Sequence, residues 1–177
     1  PILKKENVPA TFFVTTNFIE KNIPLPVDQI EYAINTTEQK NITLEQKGGK
    51  EHFTLNTIKN RLGADKTIRS KIKRLPPQQV DMIIDELIRK TGKNLADNLI
   101  GSGYEPMTWS DIQEMETNGM TFAAHTVSHP VLSNLSEEEA RKEIQNSTAT
   151  VKQNTKNPLR IFAYPNGGSN DFTPTTY

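Results

Sequence analysis

Two histidines lie four residues apart at the end of an apolar stretch, within His125-Thr126-Val127-Ser128-His129-Pro130. The sequence has only three histidines, and the third, His52, lies far from this pair in a polar segment. Two neutral imidazoles at one site are typical ligands of a divalent metal such as zinc. Such an ion polarises a carbonyl and lowers the pKa of a bound water. Because a catalytic zinc ion usually has three protein ligands, we expect a carboxylate as the third.

The composition excludes several other kinds of chemistry. The sequence has no cysteine, so thiol catalysis, disulfides and thiolate metal sites are excluded. Its 21 basic and 21 acidic residues cancel, which does not favour nucleic acid or an anionic membrane as a partner. No apolar run is long enough for a transmembrane segment, and no signal peptide is visible. Pro1 and Tyr177 look like cut ends, so we expect the 177 residues to be part of a longer chain.

Three apolar stretches predict buried strands, and helical patterns lie between them, which indicates an α/β fold. Pro1 to Asn7 reads as the end of a helix with Ile2 and Leu3 on its buried side. Two capping signals predict later helices, one beginning at Thr108 and ending at Gly119, the other following Ser136 and Glu139 and running to about Lys156. The predicted strands are Ala10–Val14, Thr121–Ala124 and Arg160–Tyr164.

Residues 24–104 have a different character and predict an inserted, helix-rich lobe. Apolar residues from Val27 to Ile34 recur at helical spacing. His52 lies among charged residues, where we expect it to be solvated rather than a metal ligand. Gly92 is placed to end the last helix of the lobe. The other elements predicted here are strands Asn41–Glu45 and Glu51–Leu55, a Lys47-Gly48-Gly49-Lys50 turn, and helices Leu55–Lys73 and Pro77–Thr91.

Two of the predicted strands end in unusual loops, one at His125 and one at Pro165-Asn166-Gly167-Gly168. In α/β folds ligands collect at the carboxyl ends of the strands, so both loops are expected on one side. The backbone N–H groups of the second loop could face a developing oxyanion. Taken singly, each feature also fits a structural histidine or an ordinary turn. The motifs of zinc-protease helices, serine hydrolases, phosphate loops and dinucleotide sites are absent from the sequence.

Three stretches together resemble successive motifs of the polysaccharide deacetylases, carbohydrate esterase family 4, also called the NodB-homology domain. They are Pro9-Ala10-Thr11-Phe12-Phe13-Val14, His125-Thr126-Val127-Ser128-His129-Pro130, and Arg160-Ile161-Phe162-Ala163-Tyr164-Pro165-Asn166-Gly167. The resemblance covers roughly residues 1–23 and 105–177, with 24–104 as an insertion. It implies a distorted (β/α) barrel, here a partial one. It also implies removal of acetyl groups from N-acetylated, or sometimes O-acetylated, glycans, with a zinc-type metal held by one Asp and two His.

The resemblance also implies roles for individual residues. His125 and His129 resemble the two histidine ligands of the metal. Thr126 would brace their loop through its hydroxyl. The backbone N–H of Asn166, after Pro165, would stabilise the oxyanion in catalysis.

The sequence departs from the family pattern in two ways. Many members carry arginine where Ala163 stands, and that arginine orients the base aspartate. The family's two aspartates, one a metal ligand and one the general base, would lie before Pro1. The Asp/Trp motif and the acid histidine would follow Tyr177. We therefore expect residues 1–177 to hold part of an active site and not to close a barrel alone.

From the sequence we expect a metal-dependent deacetylase that acts on an acetylated polysaccharide or oligosaccharide, with zinc as its metal. The alternative is a non-catalytic glycan-binding or scaffold protein on a degenerate deacetylase fold. A different metal-dependent hydrolase on a similar barrel is a third possibility that fits the proline turn less well. The resemblance implies a location in the cell envelope or outside the cell.

Overall fold

The structure is a computed structural model that describes residues 2–46 and 49–173. Helices and small sheets alternate along the chain, so the α/β class is confirmed. The chain divides into two compact units, residues 1–23 with 106–177 and residues 24–105. Pro1 and the Lys47-Gly48 part of the predicted turn lie outside the described residues. No helix in the described ranges is both long enough and apolar enough to cross a bilayer.

The described residues of the first unit form four helices and a parallel pair of strands. They are α1 (Ile2–Lys5), β1 (Thr11–Val14), α2 (Thr16–Lys21), α6 (Trp109–Thr117), β4 (Thr121–Ala124) and α7 (Glu137–Asn154). A short 3-10 turn, Leu132–Asn134, precedes α7. Strands β1 and β4 pair in register from Thr11 with Thr121 to Val14 with Ala124. Both strands therefore end at the same level, and the chain leaves β4 directly into His125.

The predicted strand Arg160–Tyr164 is wrong as a regular element. The segment runs parallel to β4, but it forms only an isolated bridge between Phe162 and Ala124. The N–H of Leu159, just before the segment, and that of Ala163 within it donate to the carbonyls of Phe122 and Ala124, at 3.4 and 3.3 Å. A step of four residues, from Leu159 to Ala163, thus spans a step of two residues in β4, and a regular ladder cannot form across that mismatch.

One face of the sheet carries the core of the first unit. Val14, Phe122 and Ala124 are buried on this face together with Ile112 of α6 and Val151 of α7. The Phe12 and Phe122 rings, which are partners in the ladder, stack with centroids 5.4 Å apart. Burial of this apolar face fixes β1 and β4 against the helices and thereby sets where the strands end.

Two helix starts in this unit follow the capping signals in the sequence, whereas the predicted burial of α1 is only partly correct. The Thr108–Asp111 and Ser136–Glu139 capping boxes are both formed, which confirms these predictions. The prediction that Ile2 is buried is wrong, because its side chain is 76% exposed. Helix α1 has only four residues, and Leu3 is the residue through which it packs against the core.

Where the second unit is described, it forms three helices and a pair of antiparallel strands. They are α3 (Pro26–Thr36), β2 (Asn41–Gln46), β3 (Gly49–Thr54), α4 (Ile58–Ile72) and α5 (Pro77–Thr91), followed by a 3-10 turn, Ala96–Asn98. Helix α4 begins three residues later than predicted, because the Thr57 hydroxyl caps it and Leu55 is fully buried in the core. Gly92 ends α5 with φ of 66°, as predicted. The core lies between the helices and the hairpin and includes Ile30, Leu44, Leu55, Ile68 and Leu87.

Candidate metal centre

The loop from His125 to His129 begins where the parallel ladder ends. The N–H of His125 donates to the Val14 carbonyl at 3.0 Å, so His125 continues the pairing by one residue. The next two carbonyls of the loop, at Thr126 and Val127, accept from backbone N–H groups of Thr16 and Asn17 at 3.3 and 2.9 Å. These donors belong to the first turn of α2, where amides have no partner within the helix. The end of β4 and the start of α2 together fix the path of the loop.

The two imidazoles lie next to each other. Their ring centroids are 4.9 Å apart and their planes meet at 71°. The loop brings them together through two residues with left-handed backbone, Thr126 at φ of 69° and His129 at φ of 63°. Neither is glycine, and a β-branched residue is rarely found in this region. Such a conformation persists only where surrounding contacts hold it, and it is often found at functional sites.

The hydroxyl of Thr126 connects the two ends of the loop. It donates to the carbonyl of His125 and accepts from the backbone N–H of His129 at 3.0 Å. The Thr126 side chain is completely buried. The Thr15 hydroxyl also donates to the His125 carbonyl, at 3.2 Å. The geometry fits the bracing role predicted for Thr126, which remains a prediction until it is measured.

The ring of His125 is oriented by a backbone carbonyl. Its Nδ1 lies 2.8 Å from the carbonyl oxygen of Ala163. Because a carbonyl can only accept, Nδ1 must carry the proton. In the neutral ring Nε2 then holds the lone pair, and a metal binds at that atom. Zinc-binding histidines usually donate their other N–H to a carbonyl or a carboxylate in this way.

The same contact brings the Pro165–Asn166 segment toward the histidines. Ala163 lies two residues before Pro165, and its carbonyl position is set by the bond from its own N–H to Ala124. In the described part of the chain no hydrogen bond uses the backbone N–H of Asn166, which is available as a donor. No described contact joins Asn166 or Pro165 to either histidine. The structure therefore brings His125, His129 and Thr126 together and places the proline turn next in the chain.

The described residues supply two of the three expected ligands. Within residues 2–46 and 49–173 no group of three histidine, aspartate or glutamate side chains is close enough to hold a metal. Two carboxylates of this unit, Glu143 and Asp171, are already bound to backbone amides. Glu143 binds Val127 and Ser128, and Asp171 binds Gly168. The donor set present, two imidazoles with one ring oriented by a carbonyl, fits a zinc site that lacks one carboxylate ligand.

A sequence model of the family described as polysaccharide deacetylase matches residues 1–176. The chain belongs to the polysaccharide deacetylase family. The match runs through both compact units and includes the residues between the predicted motifs. No curated protein and no solved structure matches the chain significantly. The resemblance inferred from the three motifs is confirmed, and with it a hydrolase class whose members act on acetylated polysaccharides.

Two features of this candidate site were not predicted from the sequence. One is the Ala163 carbonyl, since backbone groups leave no mark on residue type. The other is Glu143, which binds the histidine loop from within α7. Glu143 follows Ala140 by three residues and precedes Ser147 by four, and both neighbours are buried. An acid on the buried side of a helix is the signal that would have indicated a partner.

Proposed function

We propose that the protein is a metal-dependent deacetylase that hydrolyses N-acetyl or O-acetyl groups of a polysaccharide. The observation that carries the proposal is the hydrogen bond from His125 Nδ1 to the Ala163 carbonyl, beside the His129 ring. It orients one imidazole as metal-binding histidines are oriented. Membership of the polysaccharide deacetylase family supplies the substrate class.

His125 and His129 would hold the metal ion, and we propose zinc because the ligands are imidazoles and the chain has no thiol. When bound, the ion supplies Lewis acidity and lowers the pKa of water. Thr126 keeps the backbone of the two ligands in one conformation. The Asn166 N–H donates to the oxyanion that forms on the acetyl carbonyl, and Pro165 restricts the turn that presents this donor.

We place the third metal ligand and the general base outside the described residues. The support is the absence of a third suitable side chain beside the histidines among residues 2–46 and 49–173. Residues 1–23 and 105–177 would form part of the deacetylase domain, a distorted (β/α) barrel in the complete protein, with 24–104 inserted in it. An acetylated polysaccharide is the proposed partner, and the cell envelope or the extracellular space is the proposed location.

The assay is the release of acetate from an N-acetylated polysaccharide by the full-length protein supplied with zinc. We expect turnover that is lost on chelation, restored by zinc, and abolished by H125A. The matched control is H52A, since His52 lies on the hairpin and bonds only to Thr43 among the described residues. Unchanged acetate release by H125A would contradict the proposal.

A non-catalytic glycan-binding protein on a degenerate deacetylase fold is the second candidate. Two observations favour it: alanine at position 163 and the incomplete ligand set among the described residues. This candidate predicts that the full-length protein binds an acetylated glycan without metal and releases no acetate. Zinc-dependent acetate release excludes it.

A further inference from the structure

The carboxylate of Glu143 is the hydrogen-bond partner of the middle of the histidine loop. Its Oε2 accepts from the backbone N–H of Val127 at 2.8 Å and from that of Ser128 at 2.9 Å. Its Oε1 accepts from the Ser128 hydroxyl at 2.8 Å. Glu143 lies in the second turn of α7, a helix already anchored at Ser136 by its capping box. Helix α7 thus presents a carboxylate to two successive amides.

These bonds act on the part of the loop that determines how the histidines face each other. Only three residues separate His125 from His129. Two residues of the loop, Thr126 and His129, have positive φ. Successive N–H groups converge on one carboxylate oxygen only when the backbone between them is turned inward, as in an anion-binding nest. An acceptor at this place favours the turned conformation over the extended or right-handed ones that these residues otherwise prefer.

Several other backbone groups of the loop have partners that Glu143 does not supply. The N–H of His129 uses the Thr126 hydroxyl, and the carbonyls of Thr126 and Val127 use α2. Removal of the Glu143 carboxylate therefore leaves the Val127 and Ser128 amides without an acceptor while the rest of the loop keeps its bonds. The effect is confined to the segment between the two histidines.

We infer that Glu143 is a positioning residue that holds the His125–His129 loop in the conformation in which both imidazoles reach one metal ion. The inference deepens the proposed function and rests on it for the identity of the bound group. Glu143 does not bind the metal in this account, because both of its oxygens are used by the loop. It acts through the backbone of Val127 and Ser128.

The chain offers a matched control in Glu116. This buried acid of α6 makes the same kind of contact, accepting from the backbone N–H groups of Lys156 and Asn157 at 2.9–3.1 Å. Among the described residues its carboxylate bonds to Lys156 and Asn157 and not to the histidine loop. A general loss of stability should follow E116Q as well as E143Q, whereas a loss of metal affinity should follow only changes at Glu143.

The first measurement is the zinc affinity of the full-length protein and of E143A, E143Q and E116Q, by calorimetric titration with zinc alone. We expect E143A to weaken zinc binding by about 10- to 100-fold, the usual effect of removing a group that orients metal ligands. E143Q keeps one accepting oxygen and should fall between E143A and the unaltered protein. E116Q should stay within about twofold of the unaltered protein. Equal affinities for E143A and the unaltered protein, or an equal loss in E116Q, would overturn the inference.

The second measurement uses the metal-free protein and separates this inference from the proposed function. Hydrogen exchange of the Val127 and Ser128 amides should become faster in E143A and remain unchanged in E116Q. If the unaltered protein binds no zinc but E143A still opens the loop, the proposed function fails and the anchoring by Glu143 stands. If zinc binds and E143A leaves both the exchange and the affinity unchanged, the inference about Glu143 fails and the proposed function stands.

Discussion

The imidazole of His125 is joined to the backbone carbonyl of Ala163 across 38 residues of sequence, with Nδ1 and the oxygen 2.8 Å apart. The contact links the loop after β4 to the segment that carries Pro165 and Asn166. It is possible because Ala163 itself donates to Ala124, the last residue of β4. The two halves of the candidate site are therefore aligned by one strand end.

This contact predicts the tautomer of His125 in the metal-free protein. Because the carbonyl can only accept, the neutral ring should carry its proton on Nδ1. Long-range proton–nitrogen NMR correlation distinguishes the two nitrogens. His52 is the comparison, since its Nδ1 faces the Thr43 hydroxyl, which can donate or accept. A His125 ring with its proton on Nε2 would show that the Ala163 contact does not exist in solution.

Replacement of Thr126 tests whether its hydroxyl braces the ligand loop. In T126V the part-buried backbone N–H of His129 loses its bond to the Thr126 hydroxyl, and loss of that bond costs about 1–3 kcal/mol in the free energy of unfolding. T126S keeps the hydroxyl and loses one methyl group, so its cost should be about 1 kcal/mol or less. Denaturant unfolding measures both values. A T126S variant as unstable as T126V would assign the effect to packing instead of the hydrogen bond.

Features that depend on neighbouring residues were predictable from the sequence. The capping boxes at Thr108 and Ser136 are confirmed because a cap involves residues three apart in the chain. The contacts that orient the histidines join distant residues, His125 with Ala163 and Ser128 with Glu143, and no local pattern encodes them. The histidine pair itself was visible because residue type alone carries its chemistry.

The strand predicted at Arg160–Tyr164 is wrong for the same reason, because its pairing depends on residues distant in sequence. An apolar, β-branched and aromatic stretch from Arg160 to Tyr164 has strand propensity, but pairing depends on register with a partner. The spacing of its bonds to β4 does not match a ladder, so only Phe162 forms a bridge. That mismatch is set by how the segment packs, and it leaves the Ala163 carbonyl turned to His125.

Substitution by alanine should have opposite effects on the free energy of unfolding at two glycines of the second unit. Gly92 has φ of 66° at the end of α5, so G92A should lower the free energy of unfolding by about 1 kcal/mol. Gly63 lies inside α4 with open space around the added Cβ, so G63A should raise it by about 0.5–1 kcal/mol. Urea unfolding compares the two variants with the unaltered protein. Effects of the same sign would contradict the backbone assignment at one of the two positions.

The second unit should lose stability as pH rises through the titration of Asp28. Burial raises the pKa of this carboxyl above 3.8, against the opposing charge of Arg69, while Glu31 adds to the rise. A folded-state pKa above the unfolded one means that the folded state binds the proton more tightly. The buried charge of Asp28 therefore does not lower the free energy of unfolding below about pH 3.8. It has its full destabilising effect above the folded-state pKa.

The test is the free energy of unfolding of D28N relative to the unaltered protein across this range. The advantage of D28N should grow as pH rises from below 3.8 and then level off. An advantage that grows as pH falls would reverse the sign of the predicted pKa shift.

The central claim is that His125 and His129 bind one metal ion. Calorimetric titration of the full-length protein with zinc tests this claim most directly. We expect one zinc site whose affinity falls by at least about 100-fold in H125A and in H129A and stays unchanged in H52A, because loss of a direct ligand costs more than loss of an outer partner. Zinc affinity that is the same in H125A as in the unaltered protein would contradict it.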